Sequence, residues 1–344
     1  MTAFSNKIRR FSLLLTLHFA AFFPSELRAS ERTEEQPEKF NASEVILHHV
    51  MDDHIWHLWD GHGGTIYLPV IVYSSEKGLD VFSSHHFYDE HHNVVEYNGY
   101  KLDHNKIYVA ASGKKVFDLS ITKNVAMLFI NAVMLVLVFL SVAKSYKKNK
   151  GKAPSGIQSF FEPVIIFVRD EVVKPNIGHR YEKFLPYMLT LFFFILFGNI
   201  LGLLPGAANL TGNIAVTMVL AVLTFLITNF NGNKAYWSHI LWTPGVPLPL
   251  RLIILPVEII GLFTKPISLM IRLFVAITAG HIVILSLICL AFIFHSVWIG
   301  GGSTIMILFI SLIEILVAGI QAYVFTLFSS LYIGMAIADH EEHH

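Results

Sequence analysis

Residues 184–233, FLPYMLTLFFFILFGNILGLLPGAANLTGNIAVTMVLAVLTFLITNFNGN, run for 50 positions without an Asp, Glu, Lys or Arg. A water-exposed surface cannot be built from such a run, whereas a hydrocarbon core of about 30 Å is crossed by roughly 20 apolar residues in a helix. Two spans fit, 184–204 and 213–230, joined by a short loop at 205–212 that carries no basic residue. The whole chain has the same character. Over 344 residues it is 54% hydrophobic and 15% charged, and its mean hydropathy is +0.56. The 25 basic and 25 acidic side chains cancel, which removes the basic excess expected of a nucleic-acid binder. The chain is predicted to lie mostly in a membrane.

Toward the N-terminus, residues 124–143 form another uncharged stretch of spanning length, and Lys144, Lys147, Lys148, Lys150 and Lys152 follow it. The positive-inside rule makes that end cytoplasmic and the preceding residues exported. Residues 157–174 place Phe160, Phe161, Val164, Ile165, Val168, Val172 and Val173 at helical spacing among charged side chains. This predicts an amphipathic helix on the cytoplasmic membrane face, stopped by Pro175. At the start of the chain, Lys7, Arg9 and Arg10 precede an apolar run and then Ser25, Ala29 and Ser30, the layout of a secretory signal. Cleavage is expected near Ala29; Leu27 is large for the position three before it, which keeps an uncleaved anchor as the alternative.

Residues 30–118 hold 15 Asp plus Glu against 7 Lys plus Arg, and strand-like runs there alternate with Gly-Gly, Asn-Gly and Ser-Gly breakers. A small β-rich exported domain is predicted. It carries ten of the 18 histidines: His48, His49, His54, His57, His62, His85, His86, His91, His92 and His104. Imidazoles interleaved with Asp52, Asp53, Asp89 and Glu90 are suitable metal ligands, but the spacing matches no fixed ligand pattern. The expectation is an acidic solvated surface whose histidines titrate individually, with no metal and no cofactor. Cys289 is the one cysteine, so an intrachain disulfide is impossible.

Toward the C-terminus, stretches 250–297 and 304–338 are each longer than one perpendicular span. They are joined by Gly300, Gly301 and Gly302, read as an outer loop, and strong tilt or bending is expected. Between residues 184 and 338 the charged side chains are Lys234, Arg251, Glu258, Lys265, Arg272 and Glu314. Arg272 and Glu314 lie too deep to snorkel, and an ionisable group at the bilayer centre costs about 2.5–3.5 kcal/mol even on the lenient insertion scale. Such groups mark ion paths, or a structural ion pair holding two helices together. At 100° per residue Ser268, Ala276 and Ala279 share the Arg272 side, a face that another helix can approach closely. His281 points to a different side, and Glu314 and Gln321 are almost collinear.

The segment PVEIIGLFTKPISLMIRLF at 256–274, followed by Ala279, Gly280 and His281, resembles the signature of subunit a of F-type ATP synthases. The last helix, from Glu314 through Gln321 to Met335, continues the likeness, as does GNILGLLP at 198–205; it extends over about residues 120–344. Residues 44–49, EVILHH, look like the family's short exported segment, whereas most of 50–118 is an addition.

The resemblance implies a non-catalytic stator subunit beside the rotating ring of c subunits, in contact with b-type stator and other synthase subunits. It implies two offset half-channels that load and unload protons on the ring carboxylates. Arg272 would face the ring, favour the ionised ring carboxylate and block direct proton leakage. His281 and Glu314 would interact in the exported-side half-channel, Gln321 would stand beside the arginine, and Glu258 would belong to the cytoplasmic half-channel. Asn213 stands where many members have Asp, and is a candidate channel residue. Two departures are Val275 and Ala276 in place of the usual Gly and Asn, and Ala215 in place of a common Asn. No phosphate-binding Gly-x-x-x-x-Gly-Lys-Ser/Thr loop occurs.

The prediction is thus an all-α polytopic membrane protein with about five membrane-embedded segments and an amphipathic surface helix, plus the small β-rich exported domain. A signal peptide is expected at 1–29, the exported domain at 30–118 and the proton-channel domain at 119–344. The expected place is the bacterial inner membrane, with the N-terminal domain periplasmic and the C-terminus cytoplasmic. The rival is a secondary transporter with a midmembrane Arg/Glu site.

Overall fold

The computed structural model describes residues 42–338 apart from 44–45, 47–49, 58–63, 90–93, 104, 205, 243–246 and 295. The expected signal at 1–29 and His48, His49, His62, His91, His92 and His104 lie outside the described residues.

Between Ile55 and Asp118 the chain forms short antiparallel sheets. β1 (Ile55–His57) pairs with β2 (Thr65–Tyr67). β3 (Pro69–Ser74) lies between β4 (Gly78–Ser83) and β7 (Phe117–Asp118), and β5 (Tyr100–Asp103) pairs with β6 (Lys106–Val109). Alternation in β3 buries Val70 and Val72 against Phe87, Tyr100, Leu102, Ile107 and Val109, the small core of this region.

Helix α1 (Lys123–Lys148) starts at Thr122, whose hydroxyl accepts from the Val125 amide. Helix α2 (Ile157–Phe167) runs into a π-helical stretch, Val168–Val173, and then into the short α3 (Lys174–Ile177). Pro175 therefore does not stop the helix as expected. It sits in the first turn of α3, where no amide donor is needed, and the chain turns instead at Gly178, whose φ of +73° suits glycine. The widened turn frees the Val172 carbonyl, which accepts from Asn176 Nδ2 (2.7 Å) and Ser330 Oγ (3.3 Å). The amphipathic segment thus buries Val168, Val172 and Val173 against the helical bundle while Phe160 stays exposed.

Helix α4 (Tyr181–Gly202) is the most enclosed, burying Phe184, Met188, Leu191, Phe192, Phe193 and Ile195. Helix α5 (Ile214–Phe230) and helix α6 (Lys234–Leu241) meet at a bend of 104°. Helix α7 (Leu248–Phe294) has 47 residues with Pro256 and Pro266 inside it, and α8 (Val297–Ile337) has 41. At 1.5 Å per residue they are about 70 and 60 Å long, far beyond one perpendicular crossing of about 30 Å. Four helical runs are long and apolar enough to cross a membrane, or five if the bent α5–α6 pair is one span.

The expected outer loop at Gly300–Gly302 is corrected: these glycines lie inside α8, which begins after Ser296. Each helical glycine costs about 1 kcal/mol relative to alanine, less than leaving peptide groups unsatisfied in an apolar medium, so the helix continues through them. Side-chain hydrogen bonds stitch the bundle: Asn131 Nδ2 to the Phe194 carbonyl (3.0 Å), Tyr187 to Thr224 (2.8 Å) and Asn199 Nδ2 to the Ala318 carbonyl (3.2 Å).

Candidate functional site

Three contacts fix how α7 and α8 lie against each other. The Lys265 ammonium is 5.5 Å from the centre of the Tyr332 ring, and the Arg272 guanidinium is 4.3 Å from that of Phe328. The third pair is Gly280 and Glu314, whose carboxylate packs against the bare glycine backbone. The numbers rise on one helix as they fall on the other, so the pair is antiparallel. Gln321 is midway in sequence between Glu314 and Phe328, which sets it level with about Ala276, between the Arg272 and Glu314 contacts.

Glu314 is 9% exposed and therefore withdrawn into the seam, while Arg272, Gln321, His281 and Glu258 are half-buried. Glu314, Gln321 and Phe328 recur every seven residues, a stripe that drifts only about 20° per repeat. Arg272 thus lies against the stripe that carries Glu314 and Gln321, one repeat beyond the glutamine. On the arginine's own side, Ala279 is exposed and Ser268 and Ala276 are half-buried. Glu258 stands apart, about 21 Å along α7 from Arg272.

His281 follows the Glu314 contact at Gly280 and opens into a cavity. Its walls are Lys123 and Asn124 from α1, Asn209 and Gly212 from the 205–212 loop, and Val50. Asn213 is the next residue after that wall, but its carboxamide oxygen accepts from the Ala215 amide (2.9 Å), which makes it the N-cap of α5. A second cavity, toward the opposite ends of α7 and α8, is bordered by Lys265, Tyr332, Tyr236 and Thr228.

Several participants carried no role in the sequence reading. Gly280 matters through the side chain it lacks, and it lay within the Ala-Gly-His motif. Phe328 was legible as the next position of the Glu314–Gln321 stripe. Asn199 lay within GNILGLLP: it accepts from the buried Thr211 hydroxyl (2.6 Å) and donates to the Ala318 carbonyl one turn from Glu314.

Outside the helices, His54 is 2% exposed, with Nε2 2.9 Å from Asp118 Oδ2. His57 meets the Thr65 hydroxyl (2.8 Å), His85 stands edge-on to Tyr67 and His86 stacks on Tyr97. Among the described residues no three His, Cys, Asp or Glu side chains come together as a metal site.

Comparison with known proteins matches residues 125–334 to the family described as ATP synthase A chain. Residues 45–128 match a domain of unknown function, DUF8433. Relatives named ATP synthase subunit a include one from Chloroherpeton thalassium, 48% identical over 233 residues, covering 66% of this chain and 69% of the relative. One from Chlorobium phaeobacteroides (strain DSM 266) is 44% identical over 279 residues, covering 79% and 78%. One from Anaeromyxobacter sp. (strain Fw109-5) is 40% identical over 310 residues, covering 86% and 71%. With apolar helices long enough for four or five crossings and a family match over more than half its length, this multi-pass membrane protein belongs to the ATP synthase A chain family.

Proposed function

We propose that this chain is the proton-conducting stator subunit of the membrane sector of an F-type ATP synthase. The observation that carries the reading is the α7–α8 seam, where a half-buried Arg272 on α7 lies against the α8 stripe that carries the buried Glu314, with His281 opening to a polar cavity. The partners are a ring of c subunits, each bearing one membrane-embedded carboxylate, together with b-type stator subunits and the rest of the complex. The exported part, 30–118, faces the periplasm behind a signal at 1–29, and the proton-channel domain, 119–344, lies in the inner membrane with its C-terminus cytoplasmic.

Protons enter through the cavity at His281, pass to the Glu314 region and neutralise a ring carboxylate. Once neutral, that group enters lipid without the cost of a buried charge. After rotation it approaches Arg272, whose fixed positive charge favours its ionised form, and the proton leaves toward Glu258 and the cytoplasm. The cation–π contact with the Phe328 ring helps hold the guanidinium in place, so that it attracts the ring carboxylate and repels a proton crossing directly. Asn213 contributes by holding the first turn of α5 beside the inlet. Each charge crossing 100 mV yields about 2.3 kcal/mol, so several transfers accumulate for one ATP made elsewhere in the complex. The chemistry of this chain is proton positioning, with nucleotide turnover left to other subunits.

The test is Arg272→Ala in the intact complex. Assembly is retained and ATP-driven proton pumping into inverted vesicles is lost; preserved pumping refutes the reading. For the relay, exchanging His281→Glu with Glu314→His retains more pumping than Glu314→Ala, and equal loss from both separates the two residues functionally.

A further inference from the structure

Part of the wall of the cavity at His281 comes from a segment that the ATP synthase A chain match does not include. Residues 50–56 hold both walls. On one side the Asp52 carboxylate accepts from the Thr122 hydroxyl (2.8 Å) and the Asn124 amide (3.2 Å), and the Asp53 carbonyl accepts from the Lys123 amide (2.9 Å). On the other, Trp56 Nε1 donates to the Gly206 carbonyl (2.6 Å), and the Trp56 ring packs on the cluster of Met127, Ala208 and Leu210. Gly206 has φ +74°, a backbone that other residues adopt only with strain, so the loop conformation presenting that carbonyl depends on glycine. Val50, at the head of the segment, is itself part of the cavity wall.

These grips differ in kind. The Asp52 and Asp53 contacts join the segment to the first turn of α1, which directly follows the small sheets, so they hold wherever the 205–212 loop goes. The Trp56 contact is the described side-chain hydrogen bond that ties the segment to that loop, the opposite wall of the cavity. Releasing it uncouples the segment from that loop, while the pairing of β1 with β2 and the Asp52 and Asp53 contacts keep the segment itself in place.

We propose that residues 50–56 form the roof of the proton inlet and that Trp56, through its bond to the Gly206 carbonyl, is the positioning residue that holds this roof against the 205–212 loop. The inference rests on the proposed reading of His281 as an inlet residue and assigns a role to the exported addition: it sets how widely the inlet opens to solvent. A hydronium ion or water enters past the roof; a larger solute is excluded while Trp56 is latched.

The experiment uses the intact complex in right-side-out membrane vesicles, with Ala208→Cys as reporter in a Cys289→Ser background. Ala208 is 4% exposed, belongs to the cluster against which Trp56 packs and lines the cavity. The probe is a membrane-impermeant trimethylammonium methanethiosulfonate, and the rate of labelling is read directly. Loss of one neutral hydrogen bond predicts a roughly 2- to 10-fold faster rate in Trp56→Phe, which keeps the packing, and a larger acceleration in Trp56→Ala. Membranes labelled in this way, re-formed as inverted vesicles and stripped of the soluble catalytic sector, then show blocked passive proton flow. Equal rates with Trp56, Phe and Ala overturn the roof, as does equal labelling in inverted vesicles, where the probe meets the other face. Full proton flow after complete labelling overturns the placement of the roof over the inlet. The labelling rate needs no proton flux, so unchanged labelling beside a pumping-dead Arg272→Ala rejects the roof alone, whereas preserved pumping in Arg272→Ala rejects the functional reading.

Discussion

Gly280→Ala isolates the Glu314 contact with a single methyl group. A Cβ at residue 280 would overlap Glu314 Oε1 and stand 3.1 Å from both Cδ and Cγ, closer than side-chain carbons normally approach. The carboxylate is at the end of a flexible chain, but Glu314 is only 9% exposed, so it must either turn away or push α8 off α7. Overpacking of this kind costs about 1–3 kcal/mol. Helix propensity acts in the opposite sense, since alanine is favoured over glycine by about 1 kcal/mol, so any loss must come from the contact. If the displacement falls on the step in which Glu314 hands on a proton, 1–3 kcal/mol corresponds to about 5- to 150-fold slower passive proton flow.

Built-in controls are Gly261 and Gly319, where an added Cβ meets nothing within 4 Å. Alanine at either should leave proton flow unchanged. The assay is dissipation of an imposed pH gradient in vesicles whose catalytic sector has been removed, normalised to the amount of assembled complex. Glu314→Asp in the Gly280→Ala background shortens the side chain by one methylene and is expected to recover part of the flow. A Gly280→Ala complex that conducts like Gly261→Ala, with no response to Glu314→Asp, refutes the claim that the bare backbone at 280 positions the carboxylate.

Gly334→Ala should be more harmful to assembly, because its Cβ would overlap the Asn176 carbonyl oxygen and lie 2.8 Å from the carbonyl carbon, backbone atoms that cannot swing aside; less subunit in the purified complex is the readout, with Gly319→Ala as reference. Asn199→Ala removes the acceptor of the buried Thr211 hydroxyl and a donor to the Ala318 carbonyl, which should destabilise the chain by about 1–3 kcal/mol, seen as a lower melting temperature of the isolated membrane sector. At Asp118, burial pushes the carboxyl up, but hydrogen bonds from His54 and from the Ser120 hydroxyl and amide, with the His54 charge, outweigh it and leave the group below its ordinary value. A depressed folded value means stability that is present above the unfolded carboxylate value near 4 and lost as pH falls through the lower folded one. Amide protection at Ser120, corrected for intrinsic exchange, should therefore decline in that acid range, and Asp118→Asn should flatten the profile.

How much was legible follows from the kind of signal each feature leaves. Spans and their order are written in absent charges, so α1, α4 and α5 fall close to the expected boundaries. Arg272 and Glu314 stood out because charge is scarce there. The glycine triplet misled because turn propensities measured in water lose to backbone hydrogen bonding in an apolar setting, so Gly300–Gly302 became helix. Pro175 misled because its effect depends on its place in the helix, and a π-helical turn upstream made that place a first turn. The Gly280 contact and the Trp56–Gly206 bond join residues far apart in sequence, and no local pattern encodes such a pairing. Asn213 also caps α5, a role that a polar residue just before a span's first turn signals.

On the proposed reading, the departure at Ala276 bears on how leakage is prevented. Arg272 and Gly280 are eight residues apart on α7, about 12 Å along its axis. Over that interval the seam is filled by buried Leu273 and Ile277 from α7 and Ala318, Ala322 and Phe325 from α8. Gln321 lies level with about Ala276, where this chain carries a methyl group on α7 and a family member with Asn would carry a second amide. On the α7 side the interval still carries the buried Thr278 hydroxyl, but it makes no hydrogen bond among the described residues and so does not continue a chain from Glu314 toward Arg272. Proton hopping needs consecutive donors and acceptors within about 3 Å, and packed aliphatic side chains supply none. A proton that reaches Glu314 is then passed on by a carboxylate arriving from the ring, which makes rotation the route across this interval. The alanine that removes a polar channel residue thus strengthens the insulation between inlet and arginine, and Gln321 is left to address the ring carboxylate or the Arg272 guanidinium rather than a neighbour on α7.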